Sequence, residues 1–256
     1  MSEPSLRQLL AVAVEVAREG GRRTLAYFQS GTAVEMKGDG TPVTRADREA
    51  EAAMRARIAR TFPDHAILGE EEGESGGRGP WRWIIDPLDG TRTFVRGVPL
   101  FGTLVGIERD DDPVVGVIHL PALDETVAAA RGEGCTWNGR RCRVSPVERL
   151  DDALLVVTEE RAARARSAAY ERLVGRTAMQ RTWADCYGYA LVATGRADVA
   201  LDPAMNVWDC AALLPVIEEA GGRFTDWRGR RTIRGGEAVA TNGTLHDETL
   251  RLLAEP

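Results

Sequence analysis

The sequence is poor in the features that nucleic-acid-binding and membrane-spanning proteins need. Its 256 residues carry a net charge of -6 at neutral pH and include a single lysine, Lys37. Phosphate backbones bind basic surfaces, so this charge balance predicts no nucleic-acid partner. No apolar run approaches the roughly 18 residues that a transmembrane helix requires, so no membrane partner is expected either.

Cysteine and histidine are also scarce. The four cysteines, Cys135, Cys142, Cys186 and Cys210, form no CxxC pair and no pattern typical of a zinc site or a disulfide framework. The three histidines offer little more for zinc chemistry. The N-terminal segment lacks the basic region and the cleavage site of a signal peptide. A reduced, cytoplasmic protein is the resulting expectation.

The first half of the chain contains two helix patterns and then a run of strand patterns. Apolar residues at helical spacing predict a helix from Leu6 that ends at Gly20-Gly21. Thr44 and Asp47 form a box-like start for a second helix, through about Arg60. A flexible glycine-rich segment, EEEGESGGRGP, precedes the predicted strands WRWIID, GTLVGIE, PVVGVIHL and ETVAAARG, and the Asn-Gly of TWNGRRC predicts a hairpin.

The second half alternates between strand and helix. Strands are predicted in ALLVVTEE, ADVALD and a last one in RFTDW, and single helices in RAARARSAAYERLVG, WADCYGYALVATG and DCAALLPVIEEAGG. This succession predicts an α/β (α+β) protein with layered sheets and helices. The change of pattern predicts two parts, residues 1–145 and 146–256.

Carboxylates stand at the ends of predicted elements in four places: Asp47, Glu70–Glu72, the pair Asp86 and Asp89, and Asp209. Carboxylate oxygens are ligands that suit Mg²⁺. Each position also has an ordinary structural explanation. An acidic residue in the first turn of a helix interacts favourably with its dipole, and an acidic run is usually a solvated loop.

The stretch WIIDPLDGT suggests that the carboxylates belong to one binding site. Pro87 is expected to end the strand, so that Asp86 and Asp89 can fold toward one point. If a helix follows, the free N–H groups of Gly90 and Thr91 offer an anion site beside the carboxylates. A metal on one side and backbone donors on the other would bind a phosphate group.

Three segments, GEEEG, WIIDPLDGTRTFVRGVPLFGTLVGI and NVWDCAALLPVIEEAGG, resemble the motifs of the inositol monophosphatase-like, Mg²⁺-dependent phosphatases. The likeness covers nearly the whole chain, in order. It implies a layered αβαβα sugar-phosphatase-type fold, with two sheets sandwiched between helices, and a homodimer. It also implies hydrolysis of a small phosphorylated metabolite by an activated water, without a covalent phospho-enzyme.

The resemblance further implies two or three Mg²⁺ ions in one site. One ion would be held by Glu70, Asp86 and the carbonyl of Leu88, and a second by Asp86, Asp89 and Asp209. A third, weaker ion would lie near Glu70. The N-terminal part would thus carry most of the metal site, and the C-terminal part would add Asp209 and the substrate-side residues.

The same resemblance assigns the remaining site residues. Asp47 would contact the third ion through a water molecule. Together with the Thr91 hydroxyl, it would also orient the attacking water. The predicted catalytic residues are Asp47, Glu70 and Thr91. Asp89 and the N–H groups of Gly90 and Thr91 would lie against the substrate phosphate.

Within the family, the segments KGDGTPVTRAD, WADCYGYALVATGRAD and ALDPAMNVWDCAAL most resemble histidinol-phosphate phosphatases. Asp202 lies seven residues before Asp209, where family members place a carboxylate that meets the substrate beyond its phosphate. Asp185 would face the same pocket, or be an ordinary polar helix residue. L-Histidinol phosphate, a histidine-biosynthesis intermediate, has an amine and an imidazole that acidic groups would favour. Inositol 1-phosphate or another sugar phosphate is the alternative substrate.

Two other classes stay open at this point. The D-x-D-G-T motif of aspartyl-phosphate phosphatases is superficially similar, but here the two aspartates are three residues apart with a proline between them. A non-catalytic phosphometabolite-binding protein could keep the fold. Every carboxylate implied for the metal site is present, and nothing in the sequence indicates lost chemistry.

Overall fold

The computed structural model describes residues 3–31, 33–36, 38 and 42–254. Lys37 and residues 39–41 of the KGDGTPVTRAD segment lie outside this description. The helices are α1 (Leu6–Leu25), α2 (Arg45–Thr61), α3 (Thr91–Val95), α4 (Glu160–Arg166), α5 (Ala169–Arg176), α6 (Asp185–Ala193), α7 (Val207–Ala211), α8 (Leu213–Glu219) and α9 (His246–Ala254). Among the described residues, no helix has both the length and the apolar character needed to cross a bilayer.

The strands form one hairpin and two larger sheets. They are β1 (Val34–Met36), β2 (Pro42–Thr44), β3 (Ala66–Gly69), β4 (Gly73–Gly76), β5 (Trp81–Asp89), β6 (Gly102–Arg109), β7 (Asp112–Leu120), β8 (Glu125–Ala130), β9 (Gly134–Trp137), β10 (Arg140–Arg141), β11 (Leu154–Val157), β12 (Met179–Arg181), β13 (Val199–Asp202), β14 (Arg223–Thr225) and β15 (Ala238–Thr241). The first sheet has the order β10-β9-β8-β7-β6-β5-β3-β4 and the second β12-β11-β13-β15-β14, while β1 pairs with β2.

Both faces of the eight-stranded sheet are covered at its centre, which explains why the central strands β6, β7 and β8 are apolar almost throughout. Trp83 and Ile85 of β5 point toward α1 and α2, where they pack with residues such as Ile58. Ile84, between them in sequence, points to the opposite face and packs with α6 and α8. Strand side chains alternate, so one apolar run supplies two cores.

The five-stranded sheet completes the layers. Val156 and Phe224 pack toward α6 and α8, while Val157 and Leu201 pack on the other face against α5 and α9. The order of layers is therefore helices, sheet, helices, sheet, helices. This confirms the predicted αβαβα arrangement with two sheets between helices.

The two sheets fall on either side of residue 145 in the sequence, since the first spans residues 66–141 and the second residues 154–241. Their helices do not respect that boundary. Leu213 and Ile217 of α8 share one core with Leu104 of the first sheet and Phe224 of the second. The division into two parts stays a prediction.

Helix α1 continues past the glycines that were expected to end it. A Cβ atom on Gly20 would lie 2.6 Å from Met54 Sδ, and one on Gly21 would lie 2.6 Å from the ring of His119. The glycines therefore allow α1 to approach α2 and β7 closely, and the helix ends only at Leu25. The predicted end was wrong because the residue pattern cannot distinguish a terminating glycine from a packing one.

Several other boundaries also differ from the prediction. The single helix expected over residues 161–175 is interrupted at Ser167, whose backbone is extended. The helix expected from Asp209 begins earlier, at Val207, and breaks after Ala211, since Pro215 offers no N–H to the carbonyl of that residue. Strand β4 forms within the glycine-rich segment, and β15 and α9 follow the strand predicted to be last.

The close approach at Gly21 predicts a stability difference between two glycine substitutions. Gly21→Ala should lower the free energy of unfolding by about 1–3 kcal/mol, because the methyl group overlaps the buried His119 ring. Gly175→Ala is the matched control, since no atom lies within 4 Å of its added Cβ; it should raise the stability by about 0.5–1 kcal/mol. Chemical denaturation measures both, and equal stability of the two variants would contradict the packing role of Gly21.

Candidate active site

A β-bulge, and not a strand end, places the first two carboxylates. Strand β5 continues through Pro87 to Asp89, and between Asp86 and Asp89 its two residues Pro87 and Leu88 face a single residue of β6, Thr103. The Thr103 hydroxyl donates to the Pro87 carbonyl at 2.9 Å. The prediction that Pro87 ends the strand was wrong, because a bulge tolerates a residue without an N–H. The extra residue reverses the alternation of the strand and turns both aspartates to one side.

Two further carboxylates approach this bulge from other elements. Strand β3 runs parallel to β5 with Gly69 opposite Ile85, so Glu70 follows β3 beside Asp86. Asp209 lies in the first turn of α7. One carboxylate oxygen from each of Asp86, Asp89 and Asp209 lies within 4.8 Å of the others, a grouping that can hold a metal ion.

Backbone N–H groups hold all three of these carboxylates in place. Each carboxylate accepts one such bond: Leu88 N donates to Asp86 Oδ1 at 2.9 Å, Cys186 N to Asp89 Oδ2 at 2.6 Å, and Asn206 N to Asp209 Oδ2 at 2.6 Å. The other oxygen of each carboxylate is left for a different partner. The donors come from the bulge, from the start of α6 and from the start of α7, so three elements fix one site.

The site concentrates negative charge in a buried place. Burial raises the pKa values of Asp86 and Asp89 well above their usual range, and repulsion by Glu70 and by Asp185, respectively, raises them further. Burial likewise raises the pKa of Asp209 to about 7. The ionised carboxylates are thus costly until a cation joins them, which is the electrostatic condition of a divalent metal site.

Asp47 and Thr91 form a pair at the edge of the cluster. Asp47 is buried at the start of α2, where its Oδ2 accepts from both the N–H and the hydroxyl of Thr44 at 2.7 Å. The Thr91 hydroxyl lies 3.3 Å from Asp47 Oδ1 and 3.0 Å from the Leu88 carbonyl oxygen, and can donate to either. Burial raises the pKa of Asp47. The capping box predicted for α2 is confirmed, and it also orients Asp47.

The chain turns from β5 into α3 at Gly90, which has a φ of 81°. A Cβ there would lie 3.0 Å from Asp185 Oδ2, so both the backbone angle and the space require glycine. Asp185 itself has a positive φ of 39° at the start of α6. It is anchored by two threonines, since its N–H donates to Thr158 Oγ1 at 2.8 Å and its Oδ2 accepts from Thr93 Oγ1 at 2.9 Å.

Two adjoining cavities lead away from the carboxylates. A cavity of about 140 Å³ is lined by site residues that include Glu70, Gly90 and Thr91. A second cavity, of about 90 Å³, is lined by residues that include Asp202 and Thr158. Asp89, Asp185 and Asp209 line both. Burial raises the pKa of Asp202 to about 7, while the Thr158 N–H that donates to it at 3.0 Å partly opposes the rise.

The structure therefore brings every predicted site residue to one region. It also adds residues for which no sequence pattern was found. Thr93 and Thr158 hold Asp185. Glu51, fully buried in α2, holds the loop of Glu70: its carboxylate accepts from the N–H groups of Glu71 at 2.8 Å and Glu72 at 3.0 Å.

Glu51 is itself paired with Arg55, whose Nε donates to Glu51 Oε1 at 2.8 Å. The same guanidinium donates to the Gly73 carbonyl at 2.5 Å and the Ser75 hydroxyl at 2.7 Å. The only sequence signal was an ordinary Glu-Arg pair at i,i+4, which is usually exposed. Burial of the pair could not be read from that spacing.

Comparison with known protein families matches residues 5–255 to the inositol monophosphatase family. The chain belongs to this family. Members depend on Mg²⁺ in general, and the cluster of Asp86, Asp89 and Asp209 could bind such an ion. The donor set fits, because it consists of carboxylate oxygens, as hard cations prefer. The pKa values of Asp86 and Asp209 are raised, while Arg92, the basic side chain among the described residues that line the 140 Å³ cavity, partly opposes the rise that burial causes in the pKa of Asp185.

Individual relatives agree with the family assignment. The chain is 43% identical over 235 residues to the histidinol-phosphatase of Chlorobaculum parvum, covering 91% of each chain. It is 43% identical over 228 residues to the histidinol-phosphatase of Mycobacterium tuberculosis, covering 86% of this chain and 87% of the other. The extragenic suppressor protein suhB of Bartonella henselae has the same fold, with a TM-score of 0.90 at 30% identity over 96% of this chain and 98% of the other.

The charge cluster predicts a pH-dependent stability in metal-free protein. The folded pKa of Asp209, about 7, lies above an unfolded value of about 3.9. Its contribution to stability is therefore full below about pH 4 and is lost as the pH rises through 7. In the presence of a chelator, wild type should therefore lose stability relative to Asp209→Asn as the pH rises from 4 to 8. The difference between their free energies of unfolding should change by about 3 kcal/mol in favour of the variant.

The control for this comparison is Asp151→Asn, because nearby Arg149 and Arg176 lower the pKa of the exposed Asp151 carboxyl. It should show no such gain. Added Mg²⁺ should restore wild-type stability at pH 8 and do so less in Asp209→Asn, since a ligand stabilises the state that binds it. Parallel pH profiles of wild type and Asp209→Asn would contradict the charge cluster.

The hydrogen bonds of Glu51 predict an indirect effect on metal binding. In Glu51→Gln, the side-chain NH₂ group would face the backbone N–H of Glu71 or Glu72 and could not accept its hydrogen bond. The loop that carries Glu70 should then shift, and Mg²⁺ binding should weaken about 10–100-fold. Calorimetric titration measures it. Glu49→Gln, two residues earlier on α2, is the control, because Glu49 makes its hydrogen bonds within the described residues to Tyr27 and Arg45 near the surface. Equal Mg²⁺ affinities in the two variants would refute the role of Glu51.

Proposed function

We propose that this protein is an Mg²⁺-dependent phosphomonoesterase that hydrolyses L-histidinol phosphate to L-histidinol and phosphate, a step of histidine biosynthesis. The acidic cavity next to the carboxylate cluster carries the proposal. Among the described residues that line the 90 Å³ cavity there are four aspartates and no basic side chain. The similarity to histidinol-phosphatases over most of the chain supports the same substrate.

The residues that would hold metal are those named from the sequence. Asp86, Asp89 and Asp209 supply the clustered carboxylates, Glu70 lies beside Asp86, and the carbonyl of Leu88 is within the same bulge. We propose that two or three Mg²⁺ ions bind here. When bound, the ions supply charge for the phosphate and lower the pKa of the attacking water.

Asp47 and Thr91 would handle the proton of that water. The single hydroxyl proton of Thr91 can be donated to only one acceptor at a time. If the Leu88 carbonyl binds a metal ion, Asp47 Oδ1 is the acceptor that is left. As the Thr91 oxygen takes a proton from the water, its own hydroxyl proton would pass to Asp47 Oδ1, so that Asp47 ends protonated. Thr44 keeps Asp47 in position throughout, because it occupies the other carboxylate oxygen. No residue needs to form a covalent phospho-enzyme.

The substrate would place its phosphate toward Gly90 and Thr91 and its amino and imidazole groups toward Asp185 and Asp202. Both carboxylates have pKa values raised mainly by burial, so a cationic group favours their ionised form and is bound in return. A neutral polyol offers no such compensation. The Thr93 hydroxyl holds Asp185 at the mouth of the cavity for this contact.

The proposal also includes a homodimer in the cytoplasm. The dimer rests on the family resemblance. The cytoplasmic location rests on the cysteine pattern, which is not that of a disulfide framework.

Phosphate release from L-histidinol phosphate and from inositol 1-phosphate tests this function directly. With Mg²⁺, kcat/KM should be at least about tenfold higher for histidinol phosphate, the advantage expected from one charged contact. Chelator should abolish turnover of both, and Asp86→Asn should do the same. An equal or reversed ratio would favour the inositol or broader sugar phosphatase instead, and Mg²⁺-independent turnover would refute the metal-dependent mechanism.

The acidic cavity predicts which substitution alters the ratio of kcat/KM for histidinol phosphate to kcat/KM for inositol 1-phosphate. Asp202→Asn should lower kcat/KM for histidinol phosphate about 10–100-fold, because one charged contact is lost, and change that for inositol 1-phosphate far less. Asp247→Asn, at an exposed position of α9, is the control. Equal losses on both substrates in Asp202→Asn would show that Asp202 supports the fold and does not select the substrate.

A further inference from the structure

Two cysteines that the sequence showed no reason to pair lie side by side at the edge of the eight-stranded sheet. Strands β9 and β10 form the hairpin predicted from Asn138-Gly139, and the Cys142 N–H donates to the Cys135 carbonyl at 3.2 Å, one step beyond the last paired residues. Their Sγ atoms are 3.5 Å apart. Directly opposite residues of such a hairpin have Cα atoms about 5.5 Å apart, which is within the usual range for a disulfide.

The surroundings of the pair differ between the two thiols. Cys135 is buried in the core between the sheets, whereas Cys142 is half-buried. The hydrogen bond with Cys135, helped by the cationic Arg196, lowers the pKa of Cys142, while the same bond and burial raise that of Cys135. The lower pKa favours Cys142 over Cys135 as the attacking thiolate.

A cavity gives a small oxidant a route to the cysteine pair. The two cysteines line a cavity of about 450 Å³, together with Arg141 and Arg143. Such a volume holds many molecules the size of water. The remaining cysteines have other surroundings, since Cys210 lies against Met205 and Cys186 at the candidate active site.

We propose that Cys135 and Cys142 form a reversible intramolecular disulfide when the protein meets a peroxide. The Cys142 thiolate attacks one oxygen of hydrogen peroxide, the O–O bond breaks, and the products are a sulfenic acid and hydroxide. Cys135 then gives up its proton and attacks the sulfenic sulfur. The S–S bond forms, the S–O bond breaks, and the leaving hydroxide takes the proton as water, so two thiols are oxidised and one peroxide is reduced.

Mass spectrometry of the full chain tests the disulfide. After brief treatment with equimolar hydrogen peroxide, unfolding and alkylation, two of the four cysteines should escape alkylation, with a mass loss of about 2 Da and a cross-linked peptide that joins Cys135 to Cys142. Dithiothreitol should restore four alkylated cysteines. Full alkylation after peroxide, or a sulfinic acid on Cys142 without the cross-link, would overturn the proposal.

Two variants separate this pair from the other thiols. Cys142→Ser, at the half-buried position, should lose the cross-link and leave Cys135 open to alkylation after peroxide treatment. Cys210→Ser is the matched control and should keep the cross-link. A reversible disulfide that persists in Cys142→Ser, or a link between two chains on a non-reducing gel, would show that a different pair reacts.

Discussion

The repulsion among buried carboxylates is the constraint on which the rest of the structure depends. Three carboxylate oxygens, from the buried Asp86 and the partly buried Asp89 and Asp209, lie within 4.8 Å of one another. Such an arrangement costs free energy in the absence of a cation, as the raised pKa values show. The cluster is kept together because backbone N–H groups of surrounding elements donate a hydrogen bond to each carboxylate. Binding of a divalent ion would relieve this repulsion.

The layered fold supplies the rigidity that this constraint requires. Strand β5 is packed on both faces, so the bulge that carries Asp86 and Asp89 cannot relax without disturbing two cores. Glu51 and Arg55 extend the same principle to the Glu70 loop, where a buried ion pair makes hydrogen bonds to the loop backbone. Buried polar groups with all their partners in place specify one geometry and resist alternatives.

Charge also connects the reaction to the choice of substrate. Asp89, Asp185 and Asp209 border both cavities, so the metal region and the acidic pocket are parts of one electrostatic field. A substrate with a phosphate at one end and cationic groups at the other would meet metal ions first and carboxylates next. Under the proposed function, a small acidic cavity would therefore favour histidinol phosphate over an uncharged polyol.

Much of the fold could be predicted from the sequence, because amphipathic helices and apolar strands leave periodic patterns. The predicted element boundaries were wrong where one residue type has two structural uses. Gly20 and Gly21 were expected to end α1 but allow it to pack closely, and Pro87 was expected to end a strand but lies in a β-bulge. The candidate metal residues could be chosen because carboxylates at element ends matched a family pattern. Glu51 could not, since its burial depends on a loop twenty residues away.

The sequence by itself determined which chemical groups are available and in which order they follow the chain. Local periodicity, turn residues and the carboxylates of WIIDPLDGT are all properties of neighbouring residues. Tertiary structure alone decided which distant groups meet: Asp209 with the bulge of β5, Asp185 with Thr93, and Cys135 with Cys142. Such contacts depend on strand register and on layer packing, and both are set by the whole core acting together.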